Sequence, residues 1–183
     1  MTNKELKEKL VDVVGLLSVP GVGRGRYSKL VRAFGSPSAA LHASVRELEQ
    51  VSGISSSLAK DIKDKYNAED ARQVASRVIQ LGWKVLFPGD EEYPSVLLNI
   101  PQRDLPPILF AEGDLSQITG AIAIVGTRRP TEEGRAFSYN LAAALARAGI
   151  TVVSGMAEGV DSAAHKGCLE AGGRTIAVWG SSL

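Results

Sequence analysis

The sequence predicts an α/β chain in two parts: an all-helical domain over residues 1–81, then a partial, doubly wound, mainly parallel sheet over residues 82–183. Three observations carry that expectation. Apolar residues recur at helical spacing through the first part, interrupted by two glycine turns of the same pattern. After Gly82 that periodicity gives way to short β-type runs punctuated by prolines. From Ala121 onward, apolar runs alternate with amphipathic ones in the order strand, helix, strand, helix, strand.

The first helix holds Leu6, Leu10, Val13, Val14 and Leu17 and stops near PGVG. The chain then reads VPGVGRGRYSKLV from Val19 and VSGISSSLAKDIK from Val51, a repeat at an offset of 32 residues. Val19 meets Val51, Gly21 meets Gly53, Val22 meets Ile54 and Leu30 meets Ile62. Each copy is an apolar residue, a tight glycine turn and a new helix. KLVRAFG, SPSAALHA and SVRELEQ between them are helical, with Ser44 an N-cap for the helix that holds Leu48. KYNAEDARQVASRVIQLG is a further helix, with Ala71, Val74, Val78 and Leu81 on one face and Gly82 as its stop.

WKVLF reads as a strand, PGDEEYP as a polar turn, SVLLNI as a short helix or turn, and PPILFAEG as another strand. AIAIVG is continuously apolar, as a strand buried on both faces requires. The helix after it starts beyond Thr131 and closes at Gly149; ITVVSG, VDSAAHKGCLEAGG and TIAVWG complete the series. This is half of a Rossmann-like sheet, and ligands of such sheets bind outside the C-terminal ends of the strands. The loops IVGTRRP, VVSGMAEG and AVWGSSL therefore line one mouth.

Composition excludes several classes. The formal charge is +1, unevenly spread: residues 1–80 hold 13 Lys+Arg against 9 Asp+Glu, and residues 81–183 hold 8 against 11. A basic N-terminal part can meet a polyanion, though a solvated helix surface is the commoner explanation of such an excess. One cysteine, Cys168, rules out an internal disulfide framework. MTNKELKEKL has no apolar h-region, and no apolar run approaches the roughly 20 residues of a membrane helix. The expectation is a soluble, cytoplasmic protein.

In the first glycine turn, Gly21 can take φ > 0 and Gly23 leaves room for a close backbone. The next helix begins there with unpaired N–H groups, beside Arg24, Arg26 and Lys29. This copy resembles the helix-hairpin-helix (SAM-like) motifs that hold nucleic acid, and the resemblance leaves two roles open for it: contact with a DNA backbone, or a structural hairpin. The second copy, SGISSS, lacks the second glycine and the bases, and reads as structural.

At the mouth, the first loop lacks G-x-G-x-x-G and a P-loop Lys-Ser/Thr pair. It offers Gly126, Thr127, Arg128 and Arg129 ahead of a helix N-terminus, a place for an anion, although Glu132 and Glu133 could pair with the arginines. In the second loop, Gly155 and Gly159 permit a tight turn, Asp161 can cap its helix, and His165 lies one turn further on the same side. A structural Asp–His pair is favoured over acid–base catalysis. No G-x-S-x-G elbow surrounds Ser154, and His165 with Cys168 alone makes a poor zinc site, so no catalytic residue, metal or cofactor is expected.

IVGTRRPT, SGMAEGVDSAAH and TIAVWG, with DEEYPSVLLNI and PPILFAEGDL upstream, resemble the DNA-processing protein A (DprA/Smf) family of natural transformation and competence. The resemblance covers the chain from about Leu16. It implies a non-enzymatic single-stranded DNA-binding protein that protects the strand, assists loading of the RecA recombinase, and dimerises at full length, with a monomer left open for this span. Gly126, Thr127 and Arg128 match the family's VG[ST]R loop, with Arg128 as the phosphate contact and Arg129 adjacent. Ser154, Gly155, Ala157, Gly159 and Asp161 match the second DNA-binding loop, and His165 the AH that follows it. Gly21, Gly23, Arg24, Arg26 and Lys29 would form a secondary backbone contact.

Family members continue well past the third strand, so the sequence reads as an N-terminal portion with an exposed sheet edge. Two competing readings stand beside the mediator. One is a Rossmann-like nucleotide-binding enzyme of the nucleoside monophosphate phosphoribohydrolase type, whose PGG-x-GT-x-x-E signature is not found here. The other is an N-terminal domain that only docks a partner.

Overall fold

Thr2 caps α1 (Asn3–Ser18): its hydroxyl accepts from the Glu5 amide while Glu5 reaches back to the Thr2 amide. The computed structural model describes residues 2–115, 118 and 120–180. Leu10, Val13 and Leu16 lie on the inner face of α1 and are fully buried. Five more helices follow: α2 (Arg24–Phe34), α3 (Pro37–His42), α4 (Val45–Glu49), α5 (Ser56–Asp64) and α6 (Ala68–Gln80). Side chains of Ser36, Ser44, Ser55 and Asn67 cap the last four, so their first turns are fixed locally by sequence.

The 32-residue repeat is a repeat of geometry. Gly21 and Gly53 take φ of +92° and +90°, and the Val22 and Ile54 amides donate to the Val19 and Val51 carbonyls at 2.9 and 3.0 Å. Val22, Ile54, Leu30 and Ile62 all enter one core. In α6 the buried stripe is Ala71, Ala75 and Val78; Val74 and Leu81, expected on that face, are 46% and 42% exposed. The small alanines let α6 sit close to its neighbours and turn the larger side chains outward.

β1 (Lys84–Leu86) and β2 (Leu109–Ala111) form an antiparallel ribbon in which Val85 faces Phe110, with a 3-10 helix (Ser95–Asn99) between them. Val85 and Phe87 belong to the core of the helices, and Trp83 and Ile108 pack against it. The secondary structure changes from helices to strands after α6, while the compact units divide between Asp114 and Leu115. A two-stranded ribbon has no second face to bury on its own and takes its core from the helices.

The second unit holds β3 (Ala121–Ala123), α7 (Glu132–Arg147), β4 (Thr151–Ser154), α8 (Val160–Glu170) and β5 (Thr175–Ala177). The strands are parallel in the order β3-β4-β5, with Ile122 beside Val152 and Val153 beside Ile176. Ile124, Ala142, Val152, Ala164 and Cys168 form the core between this sheet and the two helices. β4, at the centre, is buried as its apolar run predicts. β3 is not buried on both faces: Ala121–Ala123 are exposed, Ile122 by 42%, because β3 lies at the edge of the sheet and only Ile124 turns under α7 and α8. No described helix is long and apolar enough to cross a membrane.

Candidate functional site

Because β3, β4 and β5 are parallel, the loops at their C-terminal ends open on one edge of the sheet. The third of these loops is described to Gly180; Ser181, Ser182 and Leu183 lie outside the described residues. The first two loops touch through backbone. The Val160 amide, at the start of α8, donates to the Thr127 carbonyl at 3.2 Å. Gly159 has φ +90°, and a Cβ there would lie 2.4 Å from the Thr127 oxygen and 2.8 Å from that of Arg128. A Cβ on Gly126 would likewise strike Val160 at 2.7 Å. Only glycine permits this approach, which holds Thr127 and Arg128 against the N-terminus of α8.

Buried polar groups brace the arrangement. Ser154 is 2% exposed, and its hydroxyl donates to the Ile124 carbonyl at 2.6 Å, tying β3 to β4 at the rim. Asp161 does not cap α8, whose N-cap is Gly159 without a side-chain bond. Its Oδ2 instead reaches back to accept from the Gly155 and Ala157 amides at 3.2 and 3.4 Å. The Ser162 hydroxyl adds a bond to the Ala157 carbonyl. Loop 155–161 is thus closed on itself, with the carboxylate facing inward.

His165 is not paired to Asp161 by a hydrogen bond. Its Nδ1 lies 2.7 Å from Thr175 Oγ1, and that hydroxyl donates to the Val152 carbonyl at 2.8 Å. With the hydroxyl proton committed, Nδ1 is the donor. Burial lowers the His165 pKa, opposed by the Asp161 charge, so the ring stays neutral near pH 7. Its Nε2 and Asp161 Oδ1 are sealed from solvent without partners among the described residues. A general acid or base must reach a substrate, and these atoms do not.

What remains open at the mouth is backbone and arginine. Gly126, Thr127, Arg128, Arg129, Gly155, Met156 and Glu158 are exposed. The amides of Arg128, Met156 and Glu158 make no hydrogen bond among the described residues. Thr131 caps α7 through the Gly134 amide. Neither Arg128 nor Arg129 forms an ion pair with Glu132 or Glu133 among the described residues, so the guanidinium groups face solvent. Among the described residues, the edge therefore presents two helix N-termini, free amides and two unpaired cations, a setting for an anion.

Three features escaped the sequence reading. Thr175 links β5, β4 and His165, and only a hydroxyl in an otherwise apolar strand hints at it. Val160 fills the space that Gly126 leaves. Met156 takes a left-handed φ of 59° with its side chain half exposed, and no sequence signal announces it.

The glycine-turn bases of the helical unit behave differently. Arg26 donates to the Gly21 carbonyl at 2.7 Å and to the Gly53 carbonyl at 3.1 Å. Lys29 donates to Ser52 O at 3.0 Å and Arg24 to Asp104 O at 3.3 Å. Arg26 and Lys29 thereby join the first turn to the second. Gly23 is the N-cap of α2 and has open space around it.

Residues 13–66 match the family model of the SAM-like helix-hairpin-helix tandem, and residues 84–183 match that of DNA recombination-mediator protein A. Protein Smf of Synechocystis is 36% identical over 171 residues, covering 90% of this chain and 42% of that protein. DNA processing protein DprA of Bacillus subtilis is 39% identical over 92 residues, 49% of this chain and 30% of that protein. The X-ray structure of DNA processing protein A (DprA) from Streptococcus pneumoniae superposes with a TM-score of 0.69 at 23% identity, covering all of this chain and 59% of that one, and shares its fold. The chain spans less than half the length of the curated relatives it matches. With more than half of its residues matched by the second model, the chain belongs to the DNA recombination-mediator protein A family.

Proposed function

We propose that the mouth formed by loops 126–131 and 155–161 binds the sugar–phosphate backbone of single-stranded DNA, without catalysis, and that this grip serves the loading of RecA onto the strand. The observation that carries the reading is the backbone contact at Gly159. It sets Arg128 and the free amides of both loops on one edge, a phosphate cradle that costs no rearrangement on binding. Asp161, Ser154 and His165 support the cradle from inside and do not touch the strand. The bases of the first glycine turn serve the packing of the helical unit and add little to binding.

The test is fluorescence anisotropy of a labelled oligo-dT with the wild type, Arg128→Ala and Arg24→Ala. Loss of one charge-assisted phosphate contact weakens binding by about tenfold or more for Arg128→Ala. Arg24→Ala stays within about twofold of wild type, since its guanidinium donates to Asp104. Equal losses would move the main site to the helical unit, and an unaffected Arg128→Ala protein would remove the mouth from the account. For the second half of the proposal, the rate of RecA filament assembly on oligo-dT rises with the wild-type chain and not with Arg128→Ala.

A further inference from the structure

A groove of about 810 Å³ runs over the helical unit, between α1, α2 and the segments that flank the ribbon. Its lining carries three acids against two bases. Glu5, Glu8 and Asp12 project from one side of α1, against Lys9 and Arg32. Lys9 is already placed, its ammonium 3.8 Å from the centre of the Phe87 ring. Glu5 is engaged with the Thr2 amide at 2.7 Å and Glu8 faces Lys4 at 4.0 Å. Neither Glu5 nor Asp12 has a cation paired to it among the described residues, and of the two only Glu5 is held by a backbone amide.

Tyr27 stands beside Asp12. It is 8% exposed, its hydroxyl makes no hydrogen bond among the described residues, and it lines this groove. Burial, then the neighbouring Asp12 charge, pushes its pKa up to about 12, so it stays protonated. Burial also raises the Asp12 carboxyl, against a hydrogen bond from Ser38 and the nearby His42, while Glu8 adds to the rise. The groove therefore holds a partly desolvated carboxylate, with Ser38 bonded to it and His42 nearby, beside a phenol that has no hydrogen-bond partner among the described residues, flanked by apolar Val13, Val31, Phe87 and Leu105.

We propose that this groove docks an arginine-bearing segment of a partner protein, the guanidinium seated between Asp12 and Tyr27. A guanidinium carries five N–H donors in a planar fork that matches a carboxylate and leaves donors for the Tyr27 and Ser38 oxygens. The apolar walls take the aliphatic stem. The volume lies toward the upper end of the range for ligand sites, about 300–1,000 Å³, and extends past the polar seat along apolar wall, so the occupant is a segment with apolar neighbours. The acid excess makes a nucleic-acid backbone a poor fit.

The test is titration of the isotope-labelled 183-residue chain by two-dimensional NMR, with the peptide acetyl-Gly-Leu-Arg-Leu-Gly-amide. Its citrulline counterpart has nearly the same shape without the charge. The expected result is saturable shifts at the Asp12, Tyr27 and Leu105 amides, with the citrulline peptide about tenfold weaker. Asp12→Asn and Tyr27→Phe each weaken the arginine peptide, and oligo-dT affinity stays at the wild-type value in both. If Asp12→Asn does not fold, the citrulline comparison and Tyr27→Phe decide alone. No saturable shifts at these amides, or equal binding of the citrulline peptide, overturns the proposal. Acetyl-arginine-amide binding as tightly as the pentapeptide also overturns it, by assigning the groove to a small cation.

Discussion

A methyl group on residue 159 would stand 2.4 Å from the Thr127 oxygen, at a φ of +90° that L residues rarely adopt. Gly159→Ala therefore costs about 2 kcal/mol or more, measured by urea denaturation, and separates the two loops so that oligo-dT affinity falls with it. His165 supplies a pH signature. Its folded pKa lies below 6.5 because burial disfavours the imidazolium, so below pH 6.5 the unfolded chain binds a proton that the folded chain does not. Stability falls as pH drops through 6.5 and levels off below the folded pKa. His165→Asn keeps a donor toward Thr175 and removes that contribution; denaturation midpoints at pH 5.5 and 7.5, chosen to be about one unit either side of the ordinary value, differ less than in the wild type. At this scale the sequence marked the important positions but not their partners. Asp161 and His165 stand four apart and suggested a pair, whereas the loop path turns Asp161 toward Gly155 and the β5 register brings Thr175 to His165. Spacing along a helix does not encode either.

The paired glycine turns show the opposite case, since their geometry was legible from thirteen residues repeated at a fixed offset. The role of the bases was not. Arg26 and Lys29 read equally as phosphate contacts or as packing until their donors meet the Gly21, Gly53 and Ser52 carbonyls. Arg26→Ala removes both of its bonds from an exposed site and lowers stability by about 1 kcal/mol in denaturant, with oligo-dT binding unchanged. A strand's apolar run likewise predicts the strand but not its place in the sheet: β4 is central and buried, and β3, as apolar, lies at the edge and is exposed. Strand order depends on contacts that local periodicity does not carry.

Across the whole molecule, the sequence divides by pattern at residue 82 and the structure by packing at residue 114, because the ribbon shares the core of the helices. The family models divide it by pattern, with the second beginning at residue 84. The chain contains two tryptophans, and Trp179, just past β5, lies half exposed at the mouth edge while Trp83 belongs to the helical unit. In a Trp83→Phe protein, oligo-dT therefore quenches the remaining fluorescence as bases stack at that edge. The proposed grip on phosphate rests on an arginine and backbone amides at one sheet edge. Salt dependence measures it most directly: the slope of log K against log salt for oligo-dT, in the wild type and in Arg128→Ala. Each phosphate neutralised on a single strand contributes about 0.7 to the slope, so Arg128→Ala makes it shallower by about that amount. Identical slopes in the two proteins would contradict the account.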